Sequence, residues 1–404
     1  MKLLKKISVA FILLLLSYCV LLTLSFCIPN QMIEPRAENS LQMIEKEGLY
    51  PVINEGIDKG TRLDNFTDGL MIRKSVSNAE LNPLENAMSV GGYPRYWHGY
   101  LIFLRPLLVF MSLGNIRMFY ATILFLLIGL TVYFLIKRSD IYFAIAFLIS
   151  LSIANVAAFF FNMQFSNILI VSLLAILPIL TKFDWFKTKT NLFLYFFILG
   201  SVANFFDLLT TPLISWGIPV IVISYIANKY AGKQKESLMK QLGSFIGTGL
   251  FWGIGYGLTW FSKWAISSVV LRQNVIKDAI EQILFRTEGN ADYPLARLDM
   301  LKMNFHLMYT NATVLILGLT CVFFLICAIK KRGFQFSWPF ILSMVLAALM
   351  PYVWYNVLAN HSQIHFWFTY RVQILTTFAL LSSFAFFVPA DNPQKIVELN
   401  QEQE

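Results

Sequence analysis

Residues 2–28 read KLLKKISVAFILLLLSYCVLLTLSFCI. Lys2, Lys5 and Lys6 precede an apolar run from Ile7 to Ile28, about 20 residues that can cross a hydrocarbon core as one helix. A cleaved secretory leader has a shorter apolar centre and a small-x-small cleavage site. This run is too long and shows no clear site of that kind, so it reads as a retained signal anchor. The rest of the chain keeps the same character. Of 404 residues, 57% are hydrophobic and only 14% charged, whereas a soluble domain carries roughly 25% charged residues. The composition excludes a soluble globular protein and indicates a polytopic membrane protein.

Nine more apolar runs of spanning length follow, at about 117–136, 141–160, 164–181, 191–208, 210–228, 241–264, 312–329, 337–358 and 366–388. The expectation is an all-α bundle of about ten transmembrane helices, a single membrane domain covering 1–404. Lysine and arginine set its orientation. With the N-terminus inside, the inner segments hold Lys137 and Arg138, Lys182 to Lys189, Lys229 to Lys240, Lys330 to Arg332 and Lys395, while the short outer turns near 161, 209 and 362 hold none. That bias predicts a multi-pass protein of the cell membrane with both termini cytoplasmic. The net charge of +9 comes with basic residues set in short clusters between apolar spans, so it signals membrane anchoring and not nucleic acid. Cys19, Cys27, Cys321 and Cys327 lie in or beside apolar runs and read as small apolar residues.

Two long outer segments break the pattern, 29–113 and 266–310, and loops longer than about 15 residues usually carry a function. Within the first, 99–113 is apolar but too short to span and is interrupted by Arg105 and Pro106, which suggests an interfacial helix. The tail 389–404 is polar and expected to be disordered on the cytoplasmic side.

The candidate chemistry lies on the outer side. Thr61 to Leu70 reads TRLDNFTDGL, and on a helix Asp64 and Asp68 share one face. Such a pair can deprotonate a hydroxyl, orient an acceptor or hold a divalent cation. As an isolated motif it is also an ordinary feature of a solvated loop; its place after the first span gives it weight. Tyr93 to Tyr100 (YPRYWHGY) sets Trp97 among aromatics that suit either a sugar face or an interface belt, and Arg95, His98 and Arg105 add donors for a phosphate. Between the last two spans, His361 and His365 stand four apart with no glutamate between them, which excludes the zinc-protease motif. Tyr370 and Arg371 follow, and an ionisable Arg371 inside a span edge is a functional candidate by position, with snorkelling to headgroups as the plain alternative. Arg297 belongs to the mixed-charge second loop. Asp207, at the turn after 191–208, is a second-tier acid.

This arrangement resembles the GT-C superfamily of integral membrane glycosyltransferases. The shared features are a cytoplasmic N-terminus, a first span, a long outer loop with Asp64 and Asp68 and surface helices, then a many-span bundle. The family often shows adjacent acids or Asp-x-Asp in that loop; here the spacing is Asp-x-x-x-Asp. The resemblance implies a polyprenyl-phosphate-linked sugar as donor, a cell-envelope glycan as acceptor, and a polyprenyl-phosphate sugar synthase as a partner. It also implies one aspartate as general base, inversion at the anomeric carbon, and arginines that stabilise the leaving lipid phosphate. No Gly-rich nucleotide loop is present, in keeping with a lipid-linked donor. No cofactor is called for, apart from a divalent cation that the acids could hold. The rival expectations are an envelope polysaccharide polymerase or ligase and a lipid-linked sugar transporter or flippase, the latter with interrupted helices.

Overall fold

The computed structural model describes residues 2–54, 60–229 and 237–389. Almost all of them are helical, and strand-like pairing among them is limited to two isolated bridges, Val52 with Arg62 and Asn290 with Tyr293. The chain opens with α1 (Lys2–Phe26). Four helices fill the segment 29–113: α2 (Asn30–Glu47), α3 (Asn65–Arg73), α4 (Pro83–Ser89) and α5 (Leu101–Phe110). Then come α6 (Leu113–Arg138), α7 (Ile141–Ile153), the one-turn α8 (Ala157–Phe160), α9 (Met163–Thr181) and the short α10 (Phe183–Phe186). α11 (Lys189–Phe206), α12 (Ile214–Lys229) and α13 (Leu238–Leu271) lead to α14 (Val275–Glu288) and α15 (Arg297–Met308). α16 (Asn311–Lys330) and α17 (Trp338–Val357) precede α18 (Ala359–Ile364), α19 (Phe366–Thr369), a 3-10 turn (Tyr370–Gln373) and α20 (Ile374–Phe387).

Among the described residues, seven stretches are long and apolar enough to cross a membrane: α1, α6, α9, α11, α16, α17 and the interrupted run Phe366–Phe387. The protein is therefore a multi-pass membrane protein. Three of the ten expected runs fall outside that set. The run 141–160 breaks after Ile153, where Asn155 adopts a left-handed backbone (φ 53°), leaving α7 with 13 residues. The run 210–228 begins only at Ile214, because Asp207 to Pro212 form a turn, and α12 has 16 residues. The run 241–264 lies inside α13, a 34-residue helix rich in Gly, Ser and Thr. The stretch expected as an interfacial helix is helical, as α5, and the helix continues through Pro106. Proline forfeits one i→i−4 bond, but Arg105 beside it is tied to backbone on three sides. The tail 390–404 lies outside the described residues.

Packing explains how the bundle closes. Tyr18 of α1 stacks on Phe205 of α11 with ring centroids 4.0 Å apart, meets Trp97 edge-on at 5.5 Å, and its hydroxyl lies 3.1 Å from Ser201 Oγ. α11 and α13 cross at Gly200 and Gly255. A Cβ on Gly200 would sit 2.0 Å from the Trp252 carbonyl oxygen, and one on Gly255 2.1 Å from that of Phe197. Only glycine allows backbones to approach this closely in a lipid environment, where dispersion and not hydrophobic expulsion holds helices together.

The two ends differ in chemistry. At the lysine-rich end, Asp140 caps α7 and accepts a bond from Tyr225 Oη at 2.7 Å, with Lys229 Nζ 3.6 Å away. Lys229 also donates to the carbonyls of Ala385, Phe386 and Val388 at the C-terminus of α20, where a cation complements the helix dipole. The opposite end gathers the carboxylates.

Candidate functional site at the acidic end of the bundle

Asp64 is the N-cap of α3. Its Oδ1 accepts the Thr67 amide at 3.0 Å and its Oδ2 the Thr67 hydroxyl at 2.7 Å, the usual reason for an aspartate at this position. Asp68 follows in the first turn of α3, its amide bonded to the Asp64 carbonyl, so the helical pairing expected from sequence is present. The two acids have different neighbours. Asp68 is fully buried and caps another helix: Oδ2 accepts the Met163 amide at 3.2 Å and Oδ1 the Gln164 amide at 3.3 Å. Asn162, the residue in the N-cap position of α9, makes no cap bond itself. Asp68 thereby docks α3 onto α9, whereas the bonds of Asp64 stay within its own helix.

Arg117, at the start of α6, braces this junction. Its Nη1 reaches both oxygens of Glu47, at 3.0 and 2.8 Å, its Nη2 donates to Asn65 Oδ1 at 2.7 Å, and Asp68 lies 4.0 Å away. Burial pushes the Asp68 carboxyl up to about 7 against the pull of Arg117. Burial also raises Asp64, against its bonds to Thr67 and the charge of Arg371.

Asp207 joins the same end. It is buried, and both its oxygens accept the Thr210 amide, at 3.1 and 3.2 Å. Gln164 Nε2 donates to Thr210 Oγ1 at 2.8 Å, so Gln164 links the Asp68 and Asp207 centres. Burial pushes Asp207 as well up to about 7, with its bonds to Thr210 opposing.

These two shifts carry a sign. A buried carboxyl held above its unfolded value of about 3.9 favours the fold while protonated. That contribution is complete below pH ~4 and is lost as pH rises through about 7. Thermal melting in detergent is therefore expected to show a fall in stability between about pH 4 and 7 that is smaller in Asp207→Asn than in wild type. An unchanged pH slope in the variant would rule out the burial-raised carboxyl.

The late segment closes over this cluster. Tyr370 Oη donates to the Gly60 carbonyl at 2.6 Å and accepts from Asn155 Nδ2 at 2.9 Å, so the break after α7 faces the 3-10 turn. Arg371 is 1% exposed, donates Nη2 to the same Gly60 carbonyl at 3.1 Å, and lies over the Phe165 ring at 4.5 Å. Its charge reaches Asp64 through space. His361 Nε2 lies 2.9 Å from the Leu209 carbonyl, beside Asp207, which makes this nitrogen the donor and Nδ1 the acceptor. Arg286 of α14 then donates Nη1 to His361 Nδ1 at 3.3 Å and to His365 Nε2 at 2.9 Å. Burial holds both histidines below their usual range, His365 down to about 3, so they are neutral acceptors that orient Arg286 and leave its charge intact.

Several buried polar atoms here have no hydrogen-bond partner among the described residues: Arg371 Nε and Nη1, both polar atoms of the Asn162 side chain, Gln164 Oε1 and Thr211 Oγ1. Such groups are rare in folded interiors. Unpartnered atoms also occur elsewhere, at Thr131 and Ser382; those near Asp68 and Asp207 are candidate contacts for a polar ligand.

The structure assembles Asp64, Asp68, Asp207, His361, His365, Tyr370 and Arg371. It places the others elsewhere. Arg95 pairs with Asp278 at 2.7 Å and its carbonyl accepts from Trp260 and Trp264. Trp97 is wholly buried and donates Nε1 to the Thr259 carbonyl. His98, in a left-handed backbone, sits between the Tyr100 hydroxyl and the Tyr93 carbonyl, and burial lowers it to about 3. Arg105 donates to the carbonyls of Ser25, Ile28 and Ser75. Arg297 reaches the Asn356 carbonyl at the rim. No group of three His, Cys, Asp or Glu that could hold a metal occurs among the described residues.

Sequence reasoning did not single out Arg117, Glu47, Asn162, Gln164 or Arg286, the last of which lies in the mixed-charge second loop. The rule that found Arg371, an ionisable group at a span edge, applies equally to Arg117, the first residue of the run 117–136. No protein-family model, curated protein or solved structure matches this chain.

Proposed function

We propose that the protein is a glycosyltransferase that moves a sugar from a polyprenyl-phosphate donor to a cell-envelope glycan on the outer face of the membrane. The observation that carries this reading is a buried Asp64 carboxyl that feels the charge of Arg371, a buried guanidinium two of whose nitrogens have no hydrogen-bond partner among the described residues. In the reaction, Asp64 takes the proton of an acceptor hydroxyl. That oxygen bonds to the anomeric carbon as the bond to the phosphate oxygen breaks. The lipid phosphate leaves with the electron pair, and the configuration inverts. Arg371 and Arg286 face the developing anion, where a preorganised cation in a dry site is most effective. Asp68 holds α3 against α9 and so positions Asp64. In this reading α7 with α8, α12 and α13 complete ten spans, both termini are cytoplasmic, and a polyprenyl-phosphate sugar synthase supplies the donor.

One observation favours a lipid-linked sugar transporter. Two apolar runs are interrupted beside the polar cluster, at Asn155 and at Tyr370–Gln373, as transporters often show. A single assay separates the two. Purified protein in nanodiscs with radiolabelled polyprenyl-phosphate hexose and a glycan acceptor is expected to release polyprenyl phosphate and label the acceptor. Failure to label any acceptor, with sugar lipid flipped across proteoliposomes, would replace the transferase by the transporter.

A further inference from the structure

Beside Asp64 lies an aromatic surface that the catalytic cluster does not use. Gly48 ends α2 in a left-handed backbone (φ 83°), turning the chain so that Tyr50 comes back over the start of α3; the Phe66 amide donates to the Leu49 carbonyl at 3.2 Å and holds the two segments together. The Tyr50 and Phe66 rings lie 6.4 Å apart and within 25° of parallel, and Tyr50 meets Trp367 edge-on at 5.2 Å. Arg62 covers Trp367 at 6.0 Å. Tyr50 is 42% and Phe66 46% exposed. Partial burial, and then the nearby Asp64 charge, raise the Tyr50 hydroxyl, so it is a protonated donor beside the carboxylate.

Resting on the glycosyltransferase reading, we propose that the exposed rings of Tyr50 and Phe66, backed by the buried Trp367, form a stacking platform that seats the acceptor sugar with a hydroxyl against Asp64. The chemistry matches a pyranose. Its C–H face packs on aromatic rings, whose π faces are electron-rich, while its hydroxyls take hydrogen bonds from the Tyr50 hydroxyl and Arg62 and give one to Asp64. The setting also separates these rings from an interface belt, whose aromatics hold a headgroup level flanked by lipid; here an acid and a guanidinium border them. A surface groove of about 530 Å³ begins at Gly48 and Leu49, next to Tyr50, and is lined by Glu38, Glu45 and Arg73. That volume falls within the range of ligand sites. Its two glutamates, with Asp64, disfavour a polyanionic occupant, so the acceptor is a neutral or amino-bearing glycan that continues from the platform into the groove.

The test has a binding arm and a turnover arm. In detergent, intrinsic tryptophan fluorescence of the full chain is titrated with chitotriose and maltotriose. Saturable quenching is expected in wild type, weakened roughly tenfold or more in Tyr50→Ala and Phe66→Ala and weakened less in Tyr50→Phe, which keeps the ring and loses only the hydroxyl. In transfer assays the alanine variants are expected to raise the acceptor KM by a similar factor, with kcat and the donor KM unchanged. Both rings are exposed, so these variants keep the fold. Sugar binding lost in the variants without turnover in wild type would support the platform and remove the transferase. Wild-type acceptor KM in the Tyr50→Ala, Phe66→Ala double variant would remove the platform and leave the transferase standing. No quenching of wild type by either sugar, with melting of the variants altered only in phosphatidylglycerol nanodiscs, would assign the rings to the headgroup belt and overturn the proposal.

Discussion

Asp64→Asn is expected to lower kcat for sugar transfer by roughly 10²–10⁴-fold, the usual worth of a positioned general base, and to leave a folded protein. The fold survives for a local reason. Asparagine caps helices about as well as aspartate. The substituted side chain can still accept the Thr67 amide through Oδ1 and donate to the Thr67 hydroxyl through Nδ2, in place of the two bonds that Asp64 accepts now. What is lost is the proton acceptor beside Arg371. Donor and acceptor KM values should change little, because substrate contacts are intact. The measurement is steady-state transfer with a polyprenyl-phosphate sugar, alongside thermal melting of the same preparation. A wild-type kcat in Asp64→Asn would remove the base from Asp64. If the loss appears instead only in Asp68→Asn, in a protein that still melts normally, the roles of the two acids are exchanged.

Arg105→Met is expected to act on stability, by about 3–5 kcal/mol, the scale for removing one partner of a buried charged network. Arg105 is fully buried, lies over the Phe26 ring at 4.4 Å, and donates to three backbone carbonyls, Ser25 and Ile28 at the end of α1 and Ser75 after α3. Methionine fills the volume and leaves those carbonyls without a donor, each costing ~1–3 kcal/mol. Low yield and a broad, early melt are the expected result, with Arg105→Lys recovering only part because one ammonium cannot match the guanidinium fork. A well-folded Arg105→Met protein with only a raised donor KM would instead return Arg105 to phosphate binding.

Arg105 and Arg371 show what could be read along the chain. Both are arginines in apolar surroundings near the edge of an apolar run, and sequence treats them alike. In the structure one guanidinium donates through Nε and both terminal nitrogens. The other donates through Nη2 and keeps Nε and Nη1 without partners among the described residues. Asp207 shows the reverse: a turn acid of modest standing by sequence proves to be buried and linked through Thr210 and Gln164 to Asp68. Gln164 and Asn162 were not legible because each looks like a polar residue at the start of an apolar run. Their meaning comes from Asp68, nearly a hundred residues away in sequence, whose carboxylate takes over the capping of α9.

By itself, the sequence determined the helical membrane class and, among the described residues, seven stretches long and apolar enough to cross a bilayer. Those properties are local sums: transfer free energy accumulates residue by residue along a helix, and charge bias is read turn by turn. Tertiary structure alone decided which polar groups are already satisfied and which keep a free donor or acceptor, because a buried group's partners come from distant segments and its state depends on that pairing. That is why the Asp64–Asp68 pair could be found in the chain, while the separation of Asp64, bonded within its own helix, from Asp68, locked to α9, emerged only in the fold.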